Sequence, residues 1–131
     1  MEIQLKYGCN PHQEFARLLM EEPSPLKVLN GKPGFINLLD PFGAWPLVKE
    51  LKQATGQPSA ASFKHVSPAG AAIAKPLTDE FRACQMIPEG ELSPVATAYA
   101  RARGGDRLCS FGDVAAVSDK VDVTLAELLK R

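Results

Sequence analysis

A run of small residues that ends in a lysine and a histidine constrains the fold of this chain more than any other feature. Residues 59–63 are typical of a buried β-strand, and Lys64 and His65 follow directly. Adjacent side chains on a strand face opposite ways, but where the strand ends the backbone turns and both can reach one pocket. Lysine is cationic near neutral pH, and histidine titrates close to it. The pair therefore indicates either a functional site or a strand that happens to end in polar residues.

Predicted strands alternate with predicted helices along the chain, which favours an α/β layered fold over an all-β or helical-bundle architecture. Asp40 and Pro41 are typical of a helix cap, and Gly56 of the stop after Thr55. Because proline cannot donate to the preceding turn, the regular helix is expected to begin near Pro46. Its predicted apolar stripe consists of Ala44, Leu47, Val48, Leu51 and Ala54.

The remaining elements follow from caps and apolar runs. Ser93 with Pro94 predicts a helix over 95–103. Thr124 with Glu127 predicts a capping box for a last helix, inside which the chain stops at Arg131. Other predicted elements are a short helix from Thr78 to about Met86 and buried strands at 108–111 and 114–117.

The first thirty residues allow two interpretations. Asn10 and Gln13 fit a capping box, and the apolar residues that follow have helical spacing. A hairpin through the turn at 23–25, ending on residues 26–29, fits equally well. The pattern does not decide between them, whereas the Asn- and Gly-containing segment 30–34 predicts a turn.

Two predicted strand ends carry the candidate chemistry. Ligands of layered α/β folds bind at the carboxyl ends of strands, and both Lys64–His65 and the turn at 111–113 are predicted to occupy such ends. Residues 67–70 are predicted to form a turn, and the small residues at 67–72 would let a backbone approach a ligand closely. A neutral His65 suits the role of proton acceptor, and a Lys64 ammonium suits stabilisation of an oxyanion.

Composition excludes several classes of function. Fifteen basic and fifteen acidic residues cancel, so nucleic acid and anionic membranes are not expected partners. No stretch approaches 18 consecutive apolar residues, and the first residues lack a secretory pattern. Three widely spaced cysteines are consistent with free thiols in a reducing compartment, which predicts a soluble, cytoplasmic protein. Since the chain has two histidines and no C-x-x-C motif, no metal site built from it is expected.

Several motifs together resemble the AICAR transformylase family, which formylates aminoimidazole carboxamide ribotide (AICAR) in purine biosynthesis. The most specific is Lys-His-Val-Ser-Pro-Ala-Gly-Ala-Ala at 64–72, supported by Ser-Phe-Gly-Asp at 110–113. The resemblance is collinear over nearly the whole chain, in segments 5–8, 10–13, 28–31, 33–37, 47–51 with Trp45, 60–72 and 98–119.

The resemblance implies a three-layer, cytidine-deaminase-like α/β fold that has lost its zinc. It implies formyl transfer from 10-formyltetrahydrofolate, as co-substrate, to the 5-amino group of AICAR on the route to IMP. In the family, the histidine matching His65 is the proposed base, and the lysine matching Lys64 stabilises the transition state. The residues matching Lys6, Tyr7 and Gly112 contact the AICAR nucleotide. Lys6 stands where many members carry arginine, so a point-charge contact would replace a bidentate one.

By this resemblance, residues 1–131 are expected to correspond to the N-terminal subdomain of a transformylase, and the second subdomain, which supplies most folate contacts in the family, is expected to lie outside this chain. The family's site lies between two protomers of a homodimer. The expected partners are therefore AICAR, the folate, and either a second copy of the chain or a complementary C-terminal half. The alternative is a non-catalytic fragment or paralogue that binds nucleotide or a partner chain.

Overall fold

A computed structural model of the protein describes residues 1–130, so the predicted stop at Arg131 lies outside the described residues. The chain divides into two compact units, Met1–Leu39 and Asp40–Arg131. The elements are β1 (Glu2–Gln4), β2 (Arg17–Leu19), α1 (Ile36–Thr55), β3 (Ser59–Lys64), β4 (Ser67–Ile73), α2 (Asp79–Cys84), α3 (Pro94–Arg103), β5 (Val114–Val117) and α4 (Val123–Leu129). No helix among residues 1–130 is long and apolar enough to cross a membrane.

The first unit contains a two-stranded antiparallel sheet in which β1 pairs with β2. Both interpretations of this region were therefore wrong, because the segment forms neither a helix nor a hairpin through the turn at 23–25. The side chain of Gln13 does accept a hydrogen bond from the Asn10 amide at 2.9 Å, as in a capping box. That contact closes a turn instead of opening a helix, and Leu5 then bonds the Ala16 carbonyl at 2.9 Å alongside the sheet.

The second unit is organised around β3, which pairs antiparallel with β4 on one side and β5 on the other. Lys64 is paired with Ser67, so β3 and β4 form a hairpin whose two-residue loop is His65 and Val66. The expectation that residues 67–70 form the turn was wrong, since Ser67 already belongs to β4.

Helices cover both faces of this sheet. Ala60 lies in a buried cluster with residues of α3 and α4, whereas Ala61 and Phe63 pack against Ala44 and Val48 of α1. Because strand side chains alternate between faces, the small residues of β3 admit a helix on either side. The α/β prediction is confirmed, and the second unit has three layers.

Helix α1 differs from its prediction at its start. It begins at Ile36 and contains both Pro41 and Pro46, although a proline inside a helix typically costs about 3 kcal/mol. Complete burial of Ala44 and Val48 against the sheet favours the helix despite that cost. Of the predicted stripe, these two are buried, Leu47 and Leu51 are half-buried and Ala54 is exposed.

The predicted helix ends are mostly confirmed. Gly56 follows α1 with φ +69°, Thr78 accepts a hydrogen bond from the Phe81 amide at 3.2 Å, and Ser93 caps α3. Helix α4 is capped by Asp122 and not by Thr124, because the Asp122 carboxylate accepts from the Leu125 amide at 2.9 Å.

The small residues of β4 serve packing between two elements. A Cβ atom added at Gly70 would clash with the carbonyl oxygen of Ala102 in α3. Glycine therefore allows the strand and the helix to approach each other closely, which is a structural use of a segment predicted to approach a ligand.

Candidate functional site

The β3–β4 hairpin presents the Lys-His pair on a tight, left-handed turn. His65 has φ +52° and Val66 has φ +63°, and both are exposed. Positive φ at both central positions defines a type I′ turn, which usually contains Asn-Gly. For a β-branched residue such as valine, this conformation is an outlier, and backbone strain of this kind concentrates at functional sites.

Lys64 connects this hairpin to the segment before β5. Its ammonium donates a hydrogen bond to the carbonyl oxygen of Phe111 at 2.7 Å. Because β5 runs antiparallel to β3, the start of β5 lies beside the end of β3, and Phe63 pairs with Val114. The structure thus brings Lys64 and the Phe111–Gly112 peptide together at one edge of the sheet.

Residues 108–111 form turns and not the predicted buried strand, and Leu108 and Phe111 are exposed. The Asp106 carboxylate accepts from the Cys109 amide at 3.1 Å, and the Ser110 amide bonds the Asp106 carbonyl at 3.1 Å. Such local bonds from an aspartate compete with strand pairing. Gly112 follows with φ +70° and has open space where a side chain would stand.

Interactions within this turn shift the pKa values of Asp106 and Cys109. A hydrogen bond with the Cys109 thiol lowers the pKa of Asp106, and the same contact raises the pKa of Cys109. The Lys64 ammonium contributes a smaller effect that lowers the pKa of both groups. The positive charge of Lys64 therefore reaches the 106–109 turn as well as Phe111.

A second polar cluster lies beneath the same edge. The buried hydroxyl of Ser62 donates to Asp113, and the Ser110 hydroxyl lies 3.3 Å from that of Ser62. Burial, followed by the Asp113 charge, raises the pKa of Tyr99. None of these residues was singled out as a site residue from the sequence, and the aspartate was interpreted as part of a turn.

An open groove of about 950 Å³ runs beside Gly112. Its lining includes Tyr99, Arg103, Arg107, Phe111 and Asp113. Arg107 donates to the Gln85 carbonyl, whereas the buried Nε of Arg103 has no hydrogen-bond partner among the described residues. The groove combines exposed apolar side chains with arginines and the Asp113 carboxylate.

Lys6 and Tyr7 belong to the first unit. The Lys6 amide donates to the Pro33 carbonyl at 2.9 Å and the Tyr7 carbonyl accepts from the Phe35 amide at 3.1 Å, so both lie beside the 30–34 turn. The Lys6 side chain is exposed, and the Tyr7 ring packs against Gly34, where an added side chain would lie 2.7 Å from it. Lys64, His65 and Gly112 belong to the second unit.

The sequence-based prediction for Asp40 was wrong. It lies inside α1 and is 6% exposed, and it does not cap the helix. Its carboxylate accepts a hydrogen bond from the Val66 amide at 2.7 Å. An Asp-Pro pair is a typical helix start, so the sequence contained no signal for a contact with a turn 26 residues away.

The three cysteines are free thiols, as predicted. Within residues 1–130, no group of three or more His, Cys, Asp or Glu side chains is arranged to hold a metal ion. The expectation that this chain builds no metal site stays a prediction.

Comparison with known proteins adds an independent result. Residues 1–131 match the profile of the AICARFT/IMPCHase bienzyme family. The chain is 34% identical to "Bifunctional purine biosynthesis protein PurH" of Deinococcus radiodurans over 97% of its own length, which is 22% of that relative. The protein of the same name from Roseobacter denitrificans is also 34% identical, over 94% of this chain and 21% of that relative. The one from Deinococcus deserti is 34% identical over 97% of this chain and 22% of that relative. The chain thus spans about a fifth of the length of these relatives.

Proposed function

We propose that this chain, which belongs to the AICARFT/IMPCHase bienzyme family, acts in purine biosynthesis by formyl transfer from 10-formyltetrahydrofolate to the 5-amino group of AICAR. The observation that carries the proposal is the 2.7 Å contact between Lys64 Nζ and the Phe111 carbonyl. It joins the two segments with the most specific resemblance, the Lys-His hairpin and the Phe-Gly-Asp turn.

His65 is the proposed general base. A neutral imidazole on an exposed turn can accept the proton that the attacking amine loses as it forms a bond to the formyl carbon. The bond from that carbon to N10 of the folate then breaks, and N10 takes up a proton, so that tetrahydrofolate leaves. General acid–base assistance of this kind contributes about 10²- to 10⁴-fold in rate.

Lys64 is the proposed electrostatic partner. Its ammonium has three N–H donors, and one of them is engaged by Phe111, which leaves the others for the oxyanion that develops on the formyl group. Because the Phe111 contact fixes the ammonium before the reaction, little reorganisation is needed, and one such donor contributes about 10²- to 10³-fold.

Lys6, Tyr7 and Gly112 are the proposed contacts of the AICAR nucleotide. Lys6 is exposed and available to the phosphate, and the absence of a side chain at Gly112 allows close approach to its backbone. Each of these roles rests on the family resemblance and on the surroundings of the residue within its own unit.

The remaining parts of the proposal concern the whole assembly. The helices on both faces of the β4-β3-β5 sheet are compatible with a cytidine-deaminase-like arrangement. We propose a cytoplasmic protein in which this chain builds no metal site and most of the folate site lies outside it. A second copy of the chain or a complementary C-terminal half would complete the catalytic site.

Formyl transfer to AICAR, measured with this chain alone and then with the complementary half added, tests the proposal. We expect turnover only in the mixture, because the folate contacts are assigned to the other half. A mixture that binds AICAR but transfers no formyl group would support the alternative, a non-catalytic module that binds nucleotide.

A further inference from the structure

The His65–Val66 turn adopts a conformation that its own residues disfavour. Positive φ places Cβ close to the following carbonyl oxygen, and only glycine escapes that cost. Here the two positions are occupied by histidine and by a β-branched valine, with φ +52° and +63°. The surroundings must therefore select this turn over the alternatives open to a His-Val loop.

The only side chain within residues 1–130 that hydrogen-bonds the backbone of this loop is Asp40. Its Oδ1 accepts from the Val66 amide at 2.7 Å, which is at the short end of the range for N–H···O hydrogen bonds. Asp40 is 6% exposed and is held on α1, whose Ala44 and Val48 are completely buried. The acceptor is therefore fixed to a packed helix.

We propose that Asp40 is a positioning residue for His65. Its carboxylate holds the Val66 amide, which keeps the loop left-handed and directs the imidazole relative to the Lys64 ammonium. The ammonium has its own anchor at the Phe111 carbonyl, so Lys64 and the loop backbone are held by separate hydrogen bonds. This inference rests on the proposed function for its catalytic consequence, whereas the effect of Asp40 on the loop does not depend on it.

Loss of the carboxylate has a defined consequence. Without the acceptor, Val66 is expected to relax toward negative φ, which its branched side chain prefers. A rotation there changes the direction of His65 while Lys64 stays at Phe111. Glycine at position 66 has no such preference for negative φ. Val66→Gly should therefore make the conformation of the loop independent of Asp40.

Amide hydrogen exchange of the 131-residue chain, read by NMR, tests the effect on the loop. Asp40→Ala should speed exchange of the Val66 amide by about tenfold or more, because a hydrogen bond to a charged group is lost. Asp40→Asn keeps an acceptor oxygen and should exchange more slowly than the alanine variant. Glu50→Ala, an exposed acid on the same helix, is the matched control and should change nothing. Wild-type exchange at Val66 in Asp40→Ala would overturn the inference.

Turnover of the complemented enzyme tests the catalytic consequence. Asp40→Ala should lower kcat by up to about 10²-fold with little change in the KM for AICAR, because His65 is misdirected while binding groups stay in place. Adding Val66→Gly should restore most of that loss. Unchanged kcat per folded molecule, or loss of turnover that Val66→Gly does not restore, would overturn the positioning role. A wild-type mixture without formyl transfer would instead refute the proposed function, and hydrogen exchange alone would then decide whether Asp40 holds the loop.

Discussion

At the scale of single residues, Lys64 is the most informative side chain, because its position is reported by more than one contact. The ammonium bonds the Phe111 carbonyl, and its field lowers the pKa of Asp106 and Cys109. A thiol whose pKa responds to Lys64 is a chemical probe of the site that does not require turnover.

We therefore predict opposite effects of two substitutions on alkylation of Cys109. The hydrogen bond with Asp106 raises the pKa of the thiol and Lys64 lowers it, and the thiolate is the reactive form. At mildly alkaline pH, Asp106→Asn should speed alkylation by iodoacetamide and Lys64→Gln should slow it, as measured by mass spectrometry. Cys9 and Cys84 are internal controls. An unchanged rate at Cys109 in Lys64→Gln would contradict the placement of the ammonium.

Gly112 gives a prediction that separates backbone strain from ligand contact. Gly112 and Gly31 have φ +70° and +73°, and both have open space where a side chain would stand. Alanine at either position should destabilise its own unit by about 1–2 kcal/mol, because L-residues resist the left-handed region. Only Gly112→Ala should also weaken AICAR binding, measured by calorimetry on the complemented enzyme. Equal AICAR affinities in the two variants would remove Gly112 from the nucleotide site.

At the scale of elements, the packing of β4 against α3 depends on one glycine. Gly70→Ala would place a methyl group against the Ala102 carbonyl oxygen, which the two backbones cannot both accommodate without moving. We expect a loss of about 1–3 kcal/mol in the free energy of unfolding, measured with urea. Ala71→Ser, at the next and exposed position, is the control and should stay within about 0.5 kcal/mol. Comparable losses in both variants would mean that the strand is merely sensitive to substitution.

The Lys52–Asp119 pair connects the end of α1 to the end of β5 and predicts how acid affects stability. Hydrogen bonds from Lys52, at 2.5 Å, and from Ser118, at 2.6 Å, lower the pKa of Asp119. Because the folded pKa lies below the unfolded value of about 3.9, the stabilisation is present above that pH and is lost as the pH falls through the folded pKa.

Thermal unfolding measured from neutral to acidic pH tests the predicted loss of stability on acidification. The pair is partly exposed, so we expect Asp119→Asn to lose no more than about 1 kcal/mol near neutrality and to lose less further stability on acidification than the wild type. Glu50→Gln, which removes an exposed charge elsewhere on α1, is the control. Parallel pH curves for Asp119→Asn and the wild type would contradict the account.

At the scale of the whole molecule, local patterns predicted the elements better than the contacts between them. Strand β3 and the caps at Thr78 and Ser93 were readable because each depends on residues close in sequence. The start of α1 was not predictable in this way, because burial of the helix against the sheet outweighed the cost of two prolines inside it. The strand predicted at 108–111 failed for the opposite reason, since Asp106 supplies a local alternative.

The candidate site divides in the same way. The Lys-His pair and Gly112 were identifiable from their motifs, and their closeness follows once β5 is known to pair with β3. The type I′ turn at His65 and Val66 was not identifiable from the sequence, because such turns are normally recognised by an Asn-Gly pair. Its support by Asp40 connects positions 26 residues apart, which only the folded packing of α1 against the hairpin brings into contact.

His65 is proposed to perform chemistry and not simply to complete a turn. Single-turnover formyl transfer by the complemented enzyme, compared between wild type and His65→Ala alongside AICAR binding, tests it most directly. We predict that His65→Ala abolishes formyl transfer while the protein stays folded and AICAR affinity falls much less. A folded His65→Ala variant that transfers the formyl group at the wild-type rate would contradict the account.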